Sequence, residues 1–148
     1  MTLVDEAATA ALGAALAAVA RRGDVITLSG PLGVGKTALA RGLLAALGHD
    51  GEVPSPTFAI VQPYGEIEPA VWHADLYRIE DPAELAEIGL DCAEDGLLLV
   101  EWPERAGSGA WPQAIRLTLH FGDGGARRLT ADVPPAWEGR WPLPEFPQ

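Results

Sequence analysis

The chain has 148 residues, of which 48% are hydrophobic and 21% charged, and its formal net charge is −11. This balance is typical of a globular protein with a core of its own and excludes a disordered chain. The negative charge argues against unaided binding to a nucleic-acid backbone, because phosphate contacts need clustered Lys and Arg. We therefore expect one soluble domain that reaches any nucleic acid only through a protein partner.

The first predicted element is an Ala-rich helix over about residues 5–22, with Leu12 and Leu16 facing inward. Its apolar run is too short to span a bilayer. Acidic residues precede the run and two arginines follow it, the reverse of a signal peptide's charge order. Cys92 is the only cysteine and cannot form an intrachain disulfide, which fits the cytosol. We expect no membrane segment.

A short apolar run at residues 24–29 then predicts a strand, followed by the stretch SGPLGVGKTALARG, residues 29–42. This stretch fits the pattern G-x-x-x-x-G-K-[ST], and Leu39 and Leu43 continue it at helical spacing until Gly48 ends the helix. Strand, glycine-rich loop and helix are the context that a phosphate-binding loop requires. We name residues 30–35 the glycine loop.

The glycine loop has the chemistry of a phosphate site. Its glycines let backbone N–H groups turn inward, and the helix N-terminus adds partial positive charge. Lys36 is the only lysine in the chain, and a compact ammonium on a thin stem reaches a phosphate over a tight loop. The Thr37 hydroxyl would bind a magnesium ion that bridges the outer phosphates.

The remaining chain predicts further strands. These lie near residues 57–64, 70–75 and 97–100, with a short helix near 82–88 and a hairpin of 115–121 and 127–133 around GDGG. Only the first helix-bearing connections are long enough for parallel crossovers. The sheet is therefore predicted to be mixed, parallel around the glycine loop and antiparallel toward an edge. We predict a single domain around the glycine loop over residues 1–133 and an irregular Pro- and Trp-rich tail over 134–148, whose two tryptophans could dock on the body or on a partner.

Two acids at strand ends are candidates to complete a nucleotide site. Glu101 follows four apolar residues, as expected at the end of a buried strand, and we favour it for the magnesium ion. Asp75 shares one strand face with His73 and would bind the metal less directly or orient the attacking water. The alternative for either acid is a solvated strand end. His73 is expected to be structural, since no other His lies at ligand spacing.

Between the loop and the acids lies VPSPTFAIVQPY, in which prolines bracket Ser55. The Ser55 and Thr57 hydroxyls could face the phosphates in a segment that responds to the nucleotide. An ordinary turn before a strand explains the same residues equally well.

Two absences narrow the function. The chain has no Asn, so the N-K-x-D element that many GTPases use to bind guanine cannot exist, and ATP is the better prediction. After Glu101 only a hairpin and a tail remain, and no acceptor site is visible for a free-standing small-molecule kinase, which stays the alternative function.

The motifs GPLGVGKTALARGLLAALG, SPTF, HADLYR, IGLD and LVEWPER, in this order and at these separations, resemble the TsaE (YjeE) family over about Asp5 to Arg128. The resemblance implies an α/β fold of the P-loop NTPase type, in three layers with a mixed central sheet. It also implies a cytoplasmic ATPase that uses Mg²⁺ and is required for threonylcarbamoyladenosine in tRNA. The implied partners are the TsaB and TsaD proteins, with TsaD performing the transfer and TsaE supplying nucleotide-driven turnover.

The resemblance also implies roles for individual residues. Lys36 contacts the phosphates, Thr37 and Glu101 hold magnesium, and Asp75 assists hydrolysis. Thr9 lies near the adenine, and Trp102 lines the same pocket. Arg127 or Arg128 reaches the nucleotide, and the hairpin alignment leaves this choice open. The complete predicted cofactor-binding set is Thr9, Gly30, Leu32, Gly33, Val34, Gly35, Lys36, Thr37, Ala38 and Trp102.

Overall fold

The computed structural model describes residues 1–51, 53, 61–86, 95–107, 109–141 and 143. Its two α-helices are α1 (Glu6–Val19) and α2 (Lys36–Ala46). The strands are β1 (Thr2–Leu3), β2 (Val25–Ser29), β3 (Val61–Tyr64), β4 (Val71–Asp75), β5 (Leu97–Glu101), β6 (Ile115–Phe121) and β7 (Arg127–Asp132). Short 3-10 turns lie at Pro82–Ala86, Pro103–Ala106, Asp123–Gly125 and Pro135–Trp137.

All seven strands form one mixed sheet in the order β1-β7-β6-β2-β5-β4-β3. The central strands β6, β2, β5 and β4 run parallel, whereas β1, β7 and β3 pair antiparallel at the two sides. Central strands buried on both faces need continuous apolar sequences, and β5 is buried along its whole length. The predicted mixed sheet and α/β fold are therefore confirmed.

Both α-helices pack on one face of the sheet. Apolar side chains from α1 and α2, such as Leu12, Leu16, Leu39 and Leu43, join inward residues of the strands in the main core. In the described part of the chain, 3-10 turns and loops cover part of the other face and form the third layer, where the prediction has α-helices. Apolar side chains of this layer, including Leu76, form a second buried cluster with the strands.

The two helices approach each other through glycine. A Cβ atom on Gly42 of α2 would lie 2.0 Å from the Ala10 carbonyl oxygen of α1, and one on Gly13 would lie 2.1 Å from the Leu39 carbonyl oxygen. Only hydrogen fits at these positions. The close packing fixes the start of α1 beside the glycine loop, where Thr9 Cγ2 lies 3.5 Å from the Cβ position of Gly35.

The C-terminal segment, residues 134–141 and 143, packs on the body of the protein. Trp137 and Leu143 are buried in the main core, and Trp141 packs against it. Arg140 donates to both carboxylate oxygens of Asp24, at 2.6 and 3.0 Å, and to the Val19 carbonyl at 3.0 Å. The described residues of the tail thus dock on the body of the protein, and the alternative of docking on a partner stays a prediction.

The remaining element predictions can now be compared with the structure. The helices, the central strands and the hairpin lie within a few residues of their predicted bounds, and Gly48 follows α2 with φ +106. Strand β1 was not predicted. Parts of the predicted strand 57–64 and helix 82–88 lie outside the described residues, as does Cys92. Among the residues that are described, no helix has the length and hydropathy needed to cross a bilayer.

Candidate functional site

The site lies where the parallel strands β2, β5 and β4 end. Carboxyl ends of parallel strands meet at one edge of a sheet, and ligands of open α/β folds bind there. β2 leads into the glycine loop, β5 ends at Glu101 and β4 ends at Asp75, with the two acids paired directly across neighbouring strands. The topology therefore joins motifs that are far apart in the sequence.

A cavity of about 510 Å³ lies at this edge of the sheet. It is lined by Glu6, Thr9, Leu32, Gly33, Val34, Gly35, Lys36, Thr37, Ala38, Arg41, Asp75, Tyr77, Glu101, Trp102 and Arg127. The cavity wall includes Lys36, Thr37, Asp75 and Glu101 and every member of the predicted cofactor-binding set except Gly30. A second cavity of about 590 Å³, on the other face near Thr27 and Trp111, is lined by none of them.

Gly30 serves the shape of the loop rather than the cavity wall. A Cβ atom there would lie 2.6 Å from the Leu119 carbonyl oxygen of β6 and 2.9 Å from Val34 Cγ1, and its φ is +144. Another residue at this position would push the glycine loop away from the sheet. Gly30 therefore seats the loop on the sheet, and its predicted contact to the cofactor stays a prediction.

Lys36 is buried, with 5% of its surface exposed. Its Nζ donates to the Gly30 carbonyl within the loop and lies 3.8 Å from the ring centroid of Trp102. Burial lowers the pKa of Lys36, while the nearby carboxylates of Glu101 and Asp75 oppose that shift. The sequence therefore places its only lysine in a desolvated position beside the cavity.

Trp102 follows Glu101 directly and has φ 59 and ψ 49, in the left-handed region. Such a conformation costs a non-glycine residue on the order of 1–3 kcal/mol and is concentrated at functional sites. The Trp102 N–H donates to the Leu28 carbonyl at 3.2 Å, and its ring contacts Tyr77 with 4.9 Å between centroids. The strained backbone turns the indole into the cavity wall beside Lys36.

The two acids are held by different donors. Glu101 is 3% exposed, and its Oε2 lies 2.7 Å from His73 Nε2. Asp75 is 8% exposed, and its Oδ1 accepts from the Tyr77 N–H at 2.9 Å. Burial raises the pKa of Asp75, and the neighbouring Glu101 adds to this, whereas the Tyr77 N–H, His73 and Lys36 lower it. Neither acid is a solvated strand end.

The structure decides between the two arginines of the hairpin. Arg127 lies on the same face of β7 as the buried Leu129, because residues two apart in a strand share a face, and it lines the cavity. Its Nε donates to the Val34 carbonyl of the glycine loop at 2.8 Å. Arg128 is exposed and belongs to the opposite face.

Three further cavity residues were not predicted from the sequence: Glu6, Arg41 and Tyr77. Tyr77 could have been found, since it lies in the HADLYR motif two residues after Asp75. Glu6 and Arg41 carry no such signal, because they lie on helical turns whose orientation only the packed fold sets. Arg41 Nε donates to the Val53 carbonyl at 3.3 Å. The predicted residues Ser55 and Thr57, and the IGLD motif, lie outside the described residues.

The polar side chains that line the cavity suit a nucleotide with bound magnesium. Mg²⁺ prefers oxygen ligands and is bound by one or two protein groups together with substrate phosphates and waters. Thr37 and Glu101 supply a hydroxyl and a carboxylate there, and Lys36 and the start of α2 supply positive charge. The described residues contain no group of three His, Cys, Asp or Glu side chains able to hold a metal ion without such phosphates.

Fold and site together define an α/β protein whose mixed sheet carries a glycine-rich loop and two buried acids at its carboxyl edge. A family model for the threonylcarbamoyl adenosine biosynthesis protein TsaE matches residues 3–129. The chain belongs to the TsaE family, and it spans less than two thirds of the length of several TsaE proteins that it matches. The C-terminal segment lies beyond the matched region.

Individual relatives agree with the family match. The chain is 42% identical over 92 residues to the TsaE protein of Haemophilus influenzae, covering 61% of this chain and 58% of that protein. It is 34% identical over 139 residues to the TsaE protein of Nostoc, and this match covers 90% of this chain and 83% of that protein. The crystal structure of Bacillus subtilis YdiB matches with a TM-score of 0.75 and 28% identity, over 88% of this chain and 82% of that one.

Proposed function

We propose that the protein binds ATP with Mg²⁺ and hydrolyses it, and that this turnover serves threonylcarbamoyladenosine formation in tRNA. The observation that carries the proposal is the meeting of Lys36, Thr37, Glu101 and Asp75 at one cavity at the carboxyl edge of the sheet. These four groups are the cation, hydroxyl and carboxylates that phosphoryl transfer needs.

Each residue has a task in this proposal. Lys36 leaves the loop carbonyls and donates to the phosphates, and the backbone N–H groups of the glycine loop bind them along its length. Thr37 and Glu101 hold Mg²⁺, which neutralises charge on the phosphates when bound. Asp75 orients the attacking water, and its raised pKa suits a group that accepts a proton. Trp102 and Thr9 line the nucleotide side of the cavity.

Hydrolysis would drive a partner and not phosphorylate a metabolite. We propose that the partners are TsaD and TsaB, as the family resemblance implies, and that the protein does not bind tRNA strongly by itself. The net charge of −11 supports this arrangement, because a tRNA backbone repels such a surface.

The test combines turnover and tRNA analysis. We expect the purified protein to release phosphate from ATP slowly, and faster when TsaD and TsaB are added. Lys36→Ala should weaken ATP binding by about 1.5–3 kcal/mol through loss of a charge-assisted hydrogen bond. Arg22→Ala is the matched control, because Arg22 lies at the opposite end of β2 and pairs with Glu68 on the surface.

In cells, deletion of the gene should deplete threonylcarbamoyladenosine in tRNA. The wild-type gene and the Arg22→Ala variant should restore the modification, whereas Lys36→Ala and Asp75→Asn should not. Normal modification in the deletion strain would contradict the proposal. So would rapid phosphoryl transfer from ATP to a metabolite by the isolated protein, which is the behaviour of a small-molecule kinase.

A further inference from the structure

His73 lies on β4, on the same face as Val71 and Asp75, and it is fully buried. A buried imidazole needs a polar partner, because removing it from water without one is costly. Its Nε2 lies 2.7 Å from Glu101 Oε2. Its Nδ1 is also buried and has no hydrogen-bond partner among the described residues. The contact to Glu101 is therefore the polar interaction that accounts for the ring's placement.

The direction of this hydrogen bond follows from chemistry. As a metal ligand Glu101 is ionised, and an ionised carboxylate only accepts hydrogen bonds, so Nε2 carries a proton and donates a hydrogen bond to Oε2. A ring protonated at Nδ1 alone would bury an N–H donor without an acceptor. This tautomer costs more free energy than the one with the proton on Nε2. The hydrogen bond occupies one oxygen of Glu101 and leaves the other for the cavity that Glu101 lines.

A glutamate that no neighbour holds loses conformational entropy when it binds a metal, because several side-chain torsions must be fixed. Asp75, the neighbouring acid, has its own donor in the Tyr77 N–H, so the two carboxylates are fixed independently. Groups that hydrogen-bond to metal ligands typically change metal affinity about 10- to 100-fold when removed.

We propose that His73 is a positioning residue that fixes the Glu101 carboxylate for Mg²⁺ in the nucleotide complex. The inference rests on the proposed function, since it concerns the same metal site. His73 touches neither nucleotide nor metal in this role and acts only through Glu101.

The experiment uses two amides of different length. In Gln the side-chain NH₂ reaches the position of imidazole Nε2, whereas in Asn it reaches only that of Nδ1. The Mg²⁺ concentration that half-saturates ATP binding should stay within about threefold of the wild-type value for His73→Gln. It should rise about 10-fold or more for His73→Asn. ATP binding without Mg²⁺ should be alike in both variants.

Two further measurements separate positioning from a general loss of structure. Val71→Ala, a buried change on the same face of β4, should lower the unfolding temperature without moving the Mg²⁺ midpoint. In the metal-free protein, NMR of the imidazole nitrogens should show a protonated Nε2, with a shift that changes in Glu101→Gln.

The outcomes distinguish the two proposals. Equal Mg²⁺ midpoints for His73→Asn and His73→Gln, in a protein whose ATP affinity depends on Mg²⁺, would overturn the role of His73 alone. An Nε2 without a proton would do the same. A wild-type protein whose ATP affinity ignores Mg²⁺ would overturn both this inference and the magnesium site of the proposed function.

Discussion

At the scale of single residues, the site holds charged groups in positions that are poor for stability. Lys36, Asp75 and Glu101 are all buried within the same cavity wall. Attraction between Lys36 and the two carboxylates offsets part of the desolvation cost, yet the pKa of Lys36 is lowered and that of Asp75 is raised. Both shifts mean that burial outweighs the opposite charges for these two groups. Phosphates and a cation bound as in the proposed function would offset this unfavourable burial.

Asp75→Asn should therefore stabilise the nucleotide-free protein while hydrolysis is lost. The amide oxygen can still accept from the Tyr77 N–H, and the buried charge is gone. We expect a gain of about 0.5–2 kcal/mol in the free energy of unfolding at neutral pH. Urea unfolding measures it, and ATP binding should be retained.

The pH dependence gives an internal check on Asp75. A carboxyl whose folded-state pKa is raised binds more protons in the folded state, so wild-type stability falls as the pH rises from the ordinary value of 3.8 through the raised one. Below that window Asp75 is neutral in both states, and the advantage of Asn should vanish. An advantage that is the same at all pH values would contradict this explanation.

At the scale of elements, the contact between α1 and α2 sets the position of the glycine loop relative to Thr9. Gly→Ala inside a helix normally stabilises by about 1 kcal/mol through propensity. At Gly42 the added Cβ would meet the backbone of Ala10 at 2.0 Å, and backbone cannot move aside as a flexible side chain can.

Gly42→Ala should thus destabilise the protein by about 1–3 kcal/mol, because the helices must separate. Chemical denaturation measures the loss. Gly65→Ala is the matched control, since its Cβ would have no atom within 4 Å and its backbone φ is not positive. A stability gain in Gly42→Ala would show that the two helices are not in such close contact.

The C-terminal segment is a second element whose energetics can be tested. Arg140 makes a bidentate ion pair with Asp24, and the two side chains are only 9% and 11% exposed. Its guanidinium also lies 4.0 Å from the ring centroid of the buried Trp137.

Arg140→Ala should cost about 1.5–3 kcal/mol of unfolding free energy, since hydrogen bonds to a charged and poorly solvated group are lost. Arg22→Ala removes an equally well-formed pair with Glu68 whose side chains are 64% and 70% exposed, and it should change stability little. Thermal unfolding of both variants provides the comparison. Equal effects would mean that the Arg140–Asp24 pair stabilises the protein no more than an exposed ion pair does.

At the scale of the whole molecule, charge limits what the protein can bind alone. We expect no binding of tRNA by the isolated protein at about 0.15 M salt, where protein–phosphate contacts are already weakened by counterion competition. Fluorescence anisotropy with labelled tRNA measures this. Salt-sensitive micromolar binding by the isolated chain would contradict the expectation.

The sequence by itself determined the features that depend on neighbouring residues. The strand before the glycine loop, helix α2, the β6–β7 hairpin and the two acids at strand ends were predicted because each is encoded in a contiguous stretch. Backbone preference, hydrophobic period and turn chemistry act over a few residues. The choice of Lys36, Thr37, Asp75 and Glu101 as site residues needed nothing more than these local patterns and the order of the motifs.

Only the tertiary structure decided the pairings between distant residues. Arg127, and not Arg128, contacts the glycine loop, from which it is separated by 93 positions in the sequence. His73 contacts Glu101, which lies 28 positions further along the chain. Arg140 meets Asp24 across 116 residues. Such contacts depend on strand order, on which face each side chain occupies and on the burial of both partners. These quantities arise from the packing of the complete sheet against its helices, and no short stretch of sequence contains them.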